Sequence, residues 1–172
     1  MRAKTPPGWR PYPVRLRTPE FAFEGTLFAP PRVAGAPFLN QLGRYLTLEE
    51  GRAFDPEGRL RFGPERLGVE KKQVLFLEGL PPTPWPLSEA LRERRRVAFF
   101  YADLRLEGGL DLRRGTELAA YLSRTREFVD LFDVRVFSLE GEPRATHAHL
   151  VLNLDATLGV IEVEAGDFGA GF

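Results

Sequence analysis

Two stretches of the chain alternate hydrophobic and polar residues with a period of two, which is typical of a half-buried β-strand. The clearer stretch, 104–110, places three leucines and Gly108 on one face and charged residues on the other. Residues 21–27 follow the same pattern, with Gly25 at the position of Gly108. A glycine at an inward strand position favours a bulge or a sharp bend. The pattern therefore predicts two bent strands of the kind that curl a small sheet into a barrel.

The two stretches belong to a longer repeat. Placing Gly25 on Gly108 aligns 20–48 with 103–131 without gaps, and we call this offset the repeat shift. Identical residues recur at the repeat shift, among them Leu39 with Leu122. In each copy the pattern predicts a bent strand, a short helix, a strand, a Glu-Gly hairpin turn, a return strand and a last strand. Self-similarity at a fixed shift marks a repeated structural unit. We predict a mostly β protein, with two tandem small β-barrel-like domains of about five strands each, related by a pseudo-two-fold.

Proline, glycine and arginine clusters divide the chain further. Each repeat alone is near the lower size limit for a stable core, so we expect the halves to pack together with Trp85 at the seam. Prolines should keep the N-terminal segment extended and outside any central strand. The predicted segments are a Pro-rich arm (1–13), a first repeat (14–79), a Pro-rich linker with a short basic helix capped by Ser88 (80–96), a second repeat (97–165) and a Gly-rich tail (166–172).

Composition narrows the chemistry. The 172 residues include no cysteine, which excludes disulfides, thiolate catalysis and cysteine-ligated zinc. Lysine plus arginine balances aspartate plus glutamate at 24 each, so no overall field attracts nucleic acid or an acidic membrane. Without an apolar run for a signal peptide or a membrane span, a soluble cytoplasmic protein with no membrane association is expected. Few asparagines and many charges are typical of a thermophile.

Short motifs in the first copy resemble an uncharacterised bacterial family of small β-rich domains whose function is unknown. The matching residues are Gly25, Phe38-Leu39-Asn40, Tyr45-Leu46-Thr47-Leu48 and Val69-Glu70-Lys71. The second copy keeps the glycine and the apolar skeleton, but Ser123 stands in place of Asn40. The resemblance implies a tandem pair of such domains. On fold-level analogy the strand order is also similar to an Sm-like small barrel. Neither copy contains the uridine-binding signature of Sm proteins, so no RNA site is carried over.

Candidate site residues are few. His147 and His149 would share one strand face, an arrangement that can begin a metal site. No third histidine exists, so a carboxylate such as Asp155 would have to complete the site of a metal-dependent enzyme. The sequence contains neither a phosphate-binding loop nor a catalytic serine elbow, and we expect no cofactor.

A second candidate is basic. Arg92, Arg94, Arg95 and Arg96, interleaved with Trp85, could bind RNA or single-stranded DNA. Glu93 and the zero net charge favour a solvated surface instead.

The leading prediction is therefore a non-catalytic binding or adaptor module for a protein partner, acting through an exposed sheet edge or the tail. The same edges could form a homo-oligomer. RNA or single-stranded DNA binding is the alternative, and a metal-dependent enzyme at His147 and His149 is the third hypothesis. The features that do not recur between the copies, namely Asn40, Lys71 and Lys72 in the first and the histidines in the second, indicate where function should be sought.

Overall fold

The structure, a computed structural model, describes residues 5–125 and 127–163. It is mostly β, as predicted, with ten strands and two short α-helices. None of the described helices has the length and apolar character needed to cross a bilayer. The strands are β1 (Arg10–Arg17), β2 (Ala22–Ala29), β3 (Tyr45–Phe54), β4 (Leu60–Glu70), β5 (Phe76–Glu78), β6 (Arg92–Phe100), β7 (Leu104–Arg113), β8 (Phe128–Ser138), β9 (Pro143–Asn153) and β10 (Gly159–Glu162). The helices are α1 (Gly35–Gln41) and α2 (Leu118–Arg124).

All ten strands form one open antiparallel sheet in the order β10-β6-β7-β8-β9-β5-β1-β2-β3-β4. We call β1–β5 with α1 the first half and β6–β10 with α2 the second half. The halves join through unlike strands, because β5 of the first half pairs with β9 of the second. A pseudo-two-fold contact would also pair β10 with β4. Instead, β10 and β4 form the two outer edges of the sheet.

The same elements recur in both halves at a constant spacing. The repeat shift carries both ends of α1 onto the ends of α2, and both ends of β4 onto the ends of β9. Backbone hydrogen bonds outside the ladders recur at that spacing as well. The bond from Val74 N to Lys71 O has a counterpart from Thr157 N to Leu154 O, for example.

The two inward glycines produce the predicted bulges. Strand pairing shifts register between Glu24 and Thr26 in β2, and between Glu107 and Gly109 in β7. A Cβ atom on Gly108 would lie 2.8 Å from both the Leu131 Cγ and the Phe132 carbonyl oxygen. The glycine is therefore required by the close approach of β8.

The sheet encloses two hydrophobic cores, one in each half. Neither core is made by one half alone. Phe128 and Val151 of the second half are buried in the first core, and Leu75 of the first half is buried in the second. Apolar side chains are therefore buried across the junction in both directions.

The predicted N-terminal arm is partly wrong. Residues 10–13, with Pro11 and Pro13, belong to β1, which lies inside the sheet between β2 and β5. The prolines are tolerated because β5 pairs only with Arg15–Arg17. The N–H that each proline lacks would point to the side of the strand where β5 lies. Since β5 does not extend as far as the prolines, no ladder hydrogen bond is lost there. Trp9 does anchor the segment, packing edge-on against Phe38 at 5.9 Å between ring centroids.

The predicted basic helix is also wrong. Ser88 does act as an N-cap, accepting a hydrogen bond from Ala90 N, but the turn that it caps is a 3₁₀ helix of only three residues, Glu89–Leu91. The arginines then run along β6, where Arg94 pairs opposite Asp111 of β7. Long-range pairing between strands outweighs the local helical signal. The predicted tail, 166–172, lies outside the described residues.

Candidate functional site

The junction between the halves collects most of the polar residues that do not recur. Asn40 at the end of α1 makes two hydrogen bonds with the backbone of Phe128, the first residue of β8. Its Nδ2 donates to Phe128 O at 3.2 Å, and its Oδ1 accepts from Phe128 N at 2.9 Å. Ser123, which stands at this position in the second half, is exposed and bonds only within α2, to Ala120 O. Asn40 therefore locks the first half to the second.

Lys71 extends the same junction. Its side chain is only 9% exposed, and its Nζ donates to the carbonyl oxygens of Leu39 and Leu42 at the end of α1. The same nitrogen lies 2.9 Å from a carboxylate oxygen of Glu127 in the second half. A buried ammonium is stable only when it is paired in this way. Asn153 completes the junction from the second half, because its buried amide donates to Val74 O and Lys71 O.

The two histidines of β9 share one face of the strand, as predicted, but each contacts a different carboxylate. His147 Nδ1 lies 3.0 Å from Glu78 Oε1 of β5, across the junction. His149 Nε2 lies 2.7 Å from Asp130 Oδ1 of β8. Since an ionised carboxylate only accepts, each ring donates its N–H. Asp155, the proposed third ligand, is at the other end of β9, in the 3₁₀ turn Leu154–Ala156. Within the part of the chain that the structure describes, no three metal-ligating side chains come together.

A cleft of about 410 Å³ lies beside this junction. It is bounded by α1, the proline-rich linker, β7, α2 and β8, so both halves and the linker contribute to it. Most of its lining is apolar or aromatic, including Pro37, Trp85, Leu112, Tyr121 and Phe132. Apolar clefts with a few oriented polar groups are the usual form of a ligand site. Trp85, expected at the seam between the halves, is half-buried and lines this cleft from the linker.

The linker is fixed in place by Asp130. Both the backbone N–H and the hydroxyl of Thr83 donate to Asp130 Oδ2. The carboxylate's other oxygen accepts from His149. The Asp130 side chain is only 11% exposed, and both of its carboxylate oxygens accept hydrogen bonds from within the chain. The result is a rigid proline-rich wall that presents Pro84, Trp85 and Pro86 to the cleft.

Asp111 forms the second charged centre of the cleft. Its carboxylate accepts hydrogen bonds from the guanidinium groups of Arg92 and Arg94. Burial by itself would raise the pKa of Asp111, but the bonds from Arg94 and Arg92 together hold that pKa below its ordinary value of 3.8. Asp111 therefore stays ionised and is already neutralised by its own neighbours.

The aromatic groups of the cleft are ordered by these charges. The guanidinium of Arg94 lies over the Phe132 ring, 4.4 Å from its centroid, and the His149 ring is 5.3 Å from Phe132. Gly109 leaves space for this arrangement, since a Cβ there would lie 2.5 Å from Arg94 Cδ. Burial raises the pKa of Tyr121, so its hydroxyl stays protonated and can donate a hydrogen bond.

The predicted basic residues are mostly neutralised. Arg92 also pairs with Glu89, Arg94 with Asp133, and Arg95 with Glu93 and Glu162. The carbonyl oxygen of Arg96 accepts a backbone hydrogen bond from Val163 N, and Arg96 makes a further interaction as well. The arginines are brought together along one strand, but with a carboxylate beside most of them. Such pairing lowers the positive potential that a nucleic-acid backbone would meet.

Arg113 is different. It lies at the end of β7, is exposed, and contributes to the lining of the cleft. Among the charged residues lining this cleft within 5–125 and 127–163, it is the one for which no ion pair or side-chain hydrogen bond is formed. Within the described residues, the lining of the cleft therefore combines apolar surface with one guanidinium, that of Arg113, that forms no ion pair.

The sequence indicated Trp85 and the arginines of 92–96, on a predicted helix, but missed Tyr121, Asp111, Asp130 and Arg113 as parts of one site. The only local signal was the aromatic run in the second copy, at Phe128 and Phe132, which is also typical of an ordinary core strand. Comparisons of the chain with protein-family models, with characterised proteins and with solved structures find no match to any of them.

Proposed function

We propose that this chain is a tandem duplication of a small barrel-like unit, and that it acts as a non-catalytic binding module for a protein partner. The recurrence of elements and backbone bonds at the repeat shift supports the duplication. The cleft between the two units is the binding site, and its combination of an apolar floor with the free Arg113 carries the proposal.

The cleft favours an extended peptide segment as its ligand. Trp85 stands between two prolines on a rigid wall, and flat aromatic and proline surfaces are the usual support for extended peptides. The acidic groups Asp111 and Asp130 are already occupied by partners in the chain. A ligand therefore gains most from apolar burial and from one carboxylate placed against Arg113. We infer a segment with apolar or aromatic side chains flanked by aspartate or glutamate.

Selection from a random peptide display library on the purified protein tests this proposal. Enriched peptides should carry apolar residues next to an acidic one. Replacing Trp85 with alanine removes an aromatic anchor and should weaken a synthesised peptide about tenfold or more, as judged by fluorescence anisotropy. Arg113→Glu should weaken it to a similar extent, and more at low salt than at high salt.

Arg114→Glu is the matched control. Arg114 is the next residue in the chain, is equally exposed and does not line the cleft, so its reversal should leave the peptide affinity nearly unchanged. Selected peptides that bind all three variants as well as the wild type would refute a cleft-based function. Failure to enrich any peptide over a library passed through uncoated matrix would do the same.

Nucleic-acid binding remains the alternative, and the same cleft defines it. Arg94 stacked on Phe132, near Trp85, resembles the arginine-aromatic sets that contact single strands. The ion pairs of Arg92, Arg94 and Arg95 weigh against it. Binding of a single-stranded oligonucleotide that falls steeply with salt and is abolished by neutralising Arg94, Arg95 and Arg96 would favour this alternative.

A further inference from the structure

We propose that the chain associates head-to-tail with a second copy of itself, the outer edge of β4 in one molecule pairing with β10 of the next. This contact uses the ends of the sheet, not the cleft, and does not depend on the peptide-binding proposal. Inside the molecule, β5 pairs with β9. The repeat shift relates β9 to β4 and β5 to β10. The two strands at the outer edges, β4 and β10, are therefore the repeat counterparts of β9 and β5, the two strands that join the halves.

Leu75 and its counterpart Leu158 give the sharpest evidence. Leu75 follows the 3₁₀ turn Lys71–Gln73 of the first half, yet the residue is only 4% exposed because it is buried in the core of the second half. Leu158 stands at the corresponding point beside β10 and is 75% exposed. Its backbone is held in the same way: Leu75 N donates to Arg17 O, and Leu158 N donates to Phe100 O, both at 2.7 Å. Leu158 is thus presented as Leu75 is, but without the core into which Leu75 inserts.

A cavity of about 320 Å³ lies at the β4 edge, where that core would be expected. Its lining includes Thr18, Phe21, Phe23 and Val69. The corresponding residues in the second half belong to the hydrophobic core that also contains Leu75, and are Tyr101, Leu104, Leu106 and Leu152. The cavity in the first half therefore occupies the position that Leu75 fills in the second. Leu158 of a neighbouring molecule has the chemistry and the placement to fill it.

A second pair of counterparts supports the same contact. In this pair the buried side chain belongs to the second half and inserts into the core of the first half. Phe128 is 2% exposed because α1 of the other half covers it. Its counterpart Tyr45 is 52% exposed. Likewise Ala36 of α1 is buried, whereas Ala119 of α2 is exposed. A neighbouring molecule placed by the internal geometry would bring its α2 over Tyr45.

The register of the contact follows from the internal pairing. At the repeat shift, the internal pair Phe76–Leu152 corresponds to a pair Gly159–Val69 between molecules. The internal pair Leu77–Val151 corresponds in the same way to Val160–Gly68. Continuing along both strands places Glu162 opposite Arg66, so the charges are complementary. Leu67–Glu70 of β4 pair regularly with β3, and the register of that pairing shifts only beyond Leu67.

The polar locks of the internal junction are not repeated at the outer edges. Ser123 stands in place of Asn40, Arg44 in place of Glu127 and Leu154 in place of Lys71. The contact between molecules therefore relies on apolar insertion, strand pairing and the surface charge pair, without these buried locks. We expect it to be reversible and dependent on concentration, and, being heterologous, to give rings or open chains and not symmetric dimers.

Analytical ultracentrifugation over a wide concentration range provides the first test. Wild-type protein should form dimers and larger species as concentration rises. Leu158→Asp places a charge in the apolar contact and should raise the dissociation constant about a hundredfold or more. Leu139→Asp is the control, because Leu139 is likewise an exposed leucine, at 52%, but lies in the β8–β9 turn. A wild type that stays monomeric at every concentration overturns the proposal, and so does equal assembly of both variants.

Engineered cysteines test the register and the head-to-tail direction, and the absence of native cysteine leaves no background. Gly68 accepts a side chain, since a Cβ there would meet only Tyr45 Cδ1, at 3.9 Å. A mixture of Gly68→Cys with Val160→Cys should form disulfide-linked dimers under mild oxidation, because directly opposed residues have Cβ atoms within disulfide range. Neither variant alone should do so, nor should Leu139→Cys mixed with Val160→Cys. Dimers of Gly68→Cys alone, or a yield in the mixture no higher than in the control, would overturn the head-to-tail contact.

Discussion

At the scale of single residues, the non-recurring polar side chains are those that join the two halves. Asn40, Lys71, His147 and Asn153 all contact the opposite half or the strand that meets it. The sequence indicated most of these residues as functional because they break the repeat. Their observed contacts are structural, and only Lys72 among the predicted set is exposed and away from these bonds. A duplicated unit needs such differences, because identical halves offer identical surfaces and specify no order.

Asn40 and Ser123 form a matched pair for measuring this effect. Asn40→Ala leaves the N–H and carbonyl of Phe128 without partners at a largely buried position, and should lower the free energy of unfolding by about 2–4 kcal/mol. Ser123→Ala, at the corresponding exposed position, should change it by less than about 0.5 kcal/mol. Urea denaturation of both variants measures the difference. Equal effects would mean that Asn40 does not lock the halves.

Asp111 predicts a dependence of stability on pH. Its pKa is lower in the folded chain than in the unfolded one, so it stabilises the fold above the unfolded value of 3.8, and this contribution is lost as pH falls through the lower folded value. Asp111→Asn should cost about 1–3 kcal/mol at neutral pH and flatten the loss of stability below about pH 4. Asp133→Asn, at an exposed partner of Arg94, should cost less than about 0.5 kcal/mol. A free energy of unfolding that falls equally with pH in the wild type and in Asp111→Asn would contradict this assignment.

At the scale of elements, alternation and glycine placement predict most of the strands. Tyr45–Phe54 is a strand as expected, and both inward glycines lie at bulges. These features are local, so the sequence carries them. Two expectations failed because distant strands decide them: Pro11 and Pro13 join β1, and the arginines of 92–96 pair with β7. The cleft could not be predicted either, since it depends on how β5 meets β9, and no local pattern encodes that pairing.

The bulge is tested by filling the space that the glycine leaves. Gly108→Ala brings a Cβ within 2.8 Å of Leu131 and Phe132, and should destabilise the protein by about 1–3 kcal/mol through overpacking. Gly43→Ala provides the control, since no atom lies within 4 Å of its added Cβ. Thermal unfolding should separate the two variants. A Gly108→Ala protein as stable as Gly43→Ala would mean that β8 does not approach β7 this closely.

At the scale of the whole molecule, the halves should not be independent. Phe128 and Val151 complete the first core and Leu75 completes the second, so separation exposes apolar surface in both. The full chain should unfold in one cooperative transition. Residues 1–79 and 80–172, produced separately, should be much less stable and should regain native-like circular dichroism when mixed. A fragment 1–79 that folds alone with unchanged stability would show that the junction contributes little.

The proposed binding site depends on this joined architecture, because the walls of the cleft come from both halves and from the linker between them. Peptides of different sequence that bind there should all cover the same segments of the protein. Hydrogen–deuterium exchange, measured with and without a selected peptide, tests that claim most directly. The account predicts slower exchange in the linker around Trp85, at the end of β7 and in α2, with the outer edge strands β4 and β10 unchanged. Protection confined to those edges, or spread evenly over the sheet, would contradict a binding site between the halves.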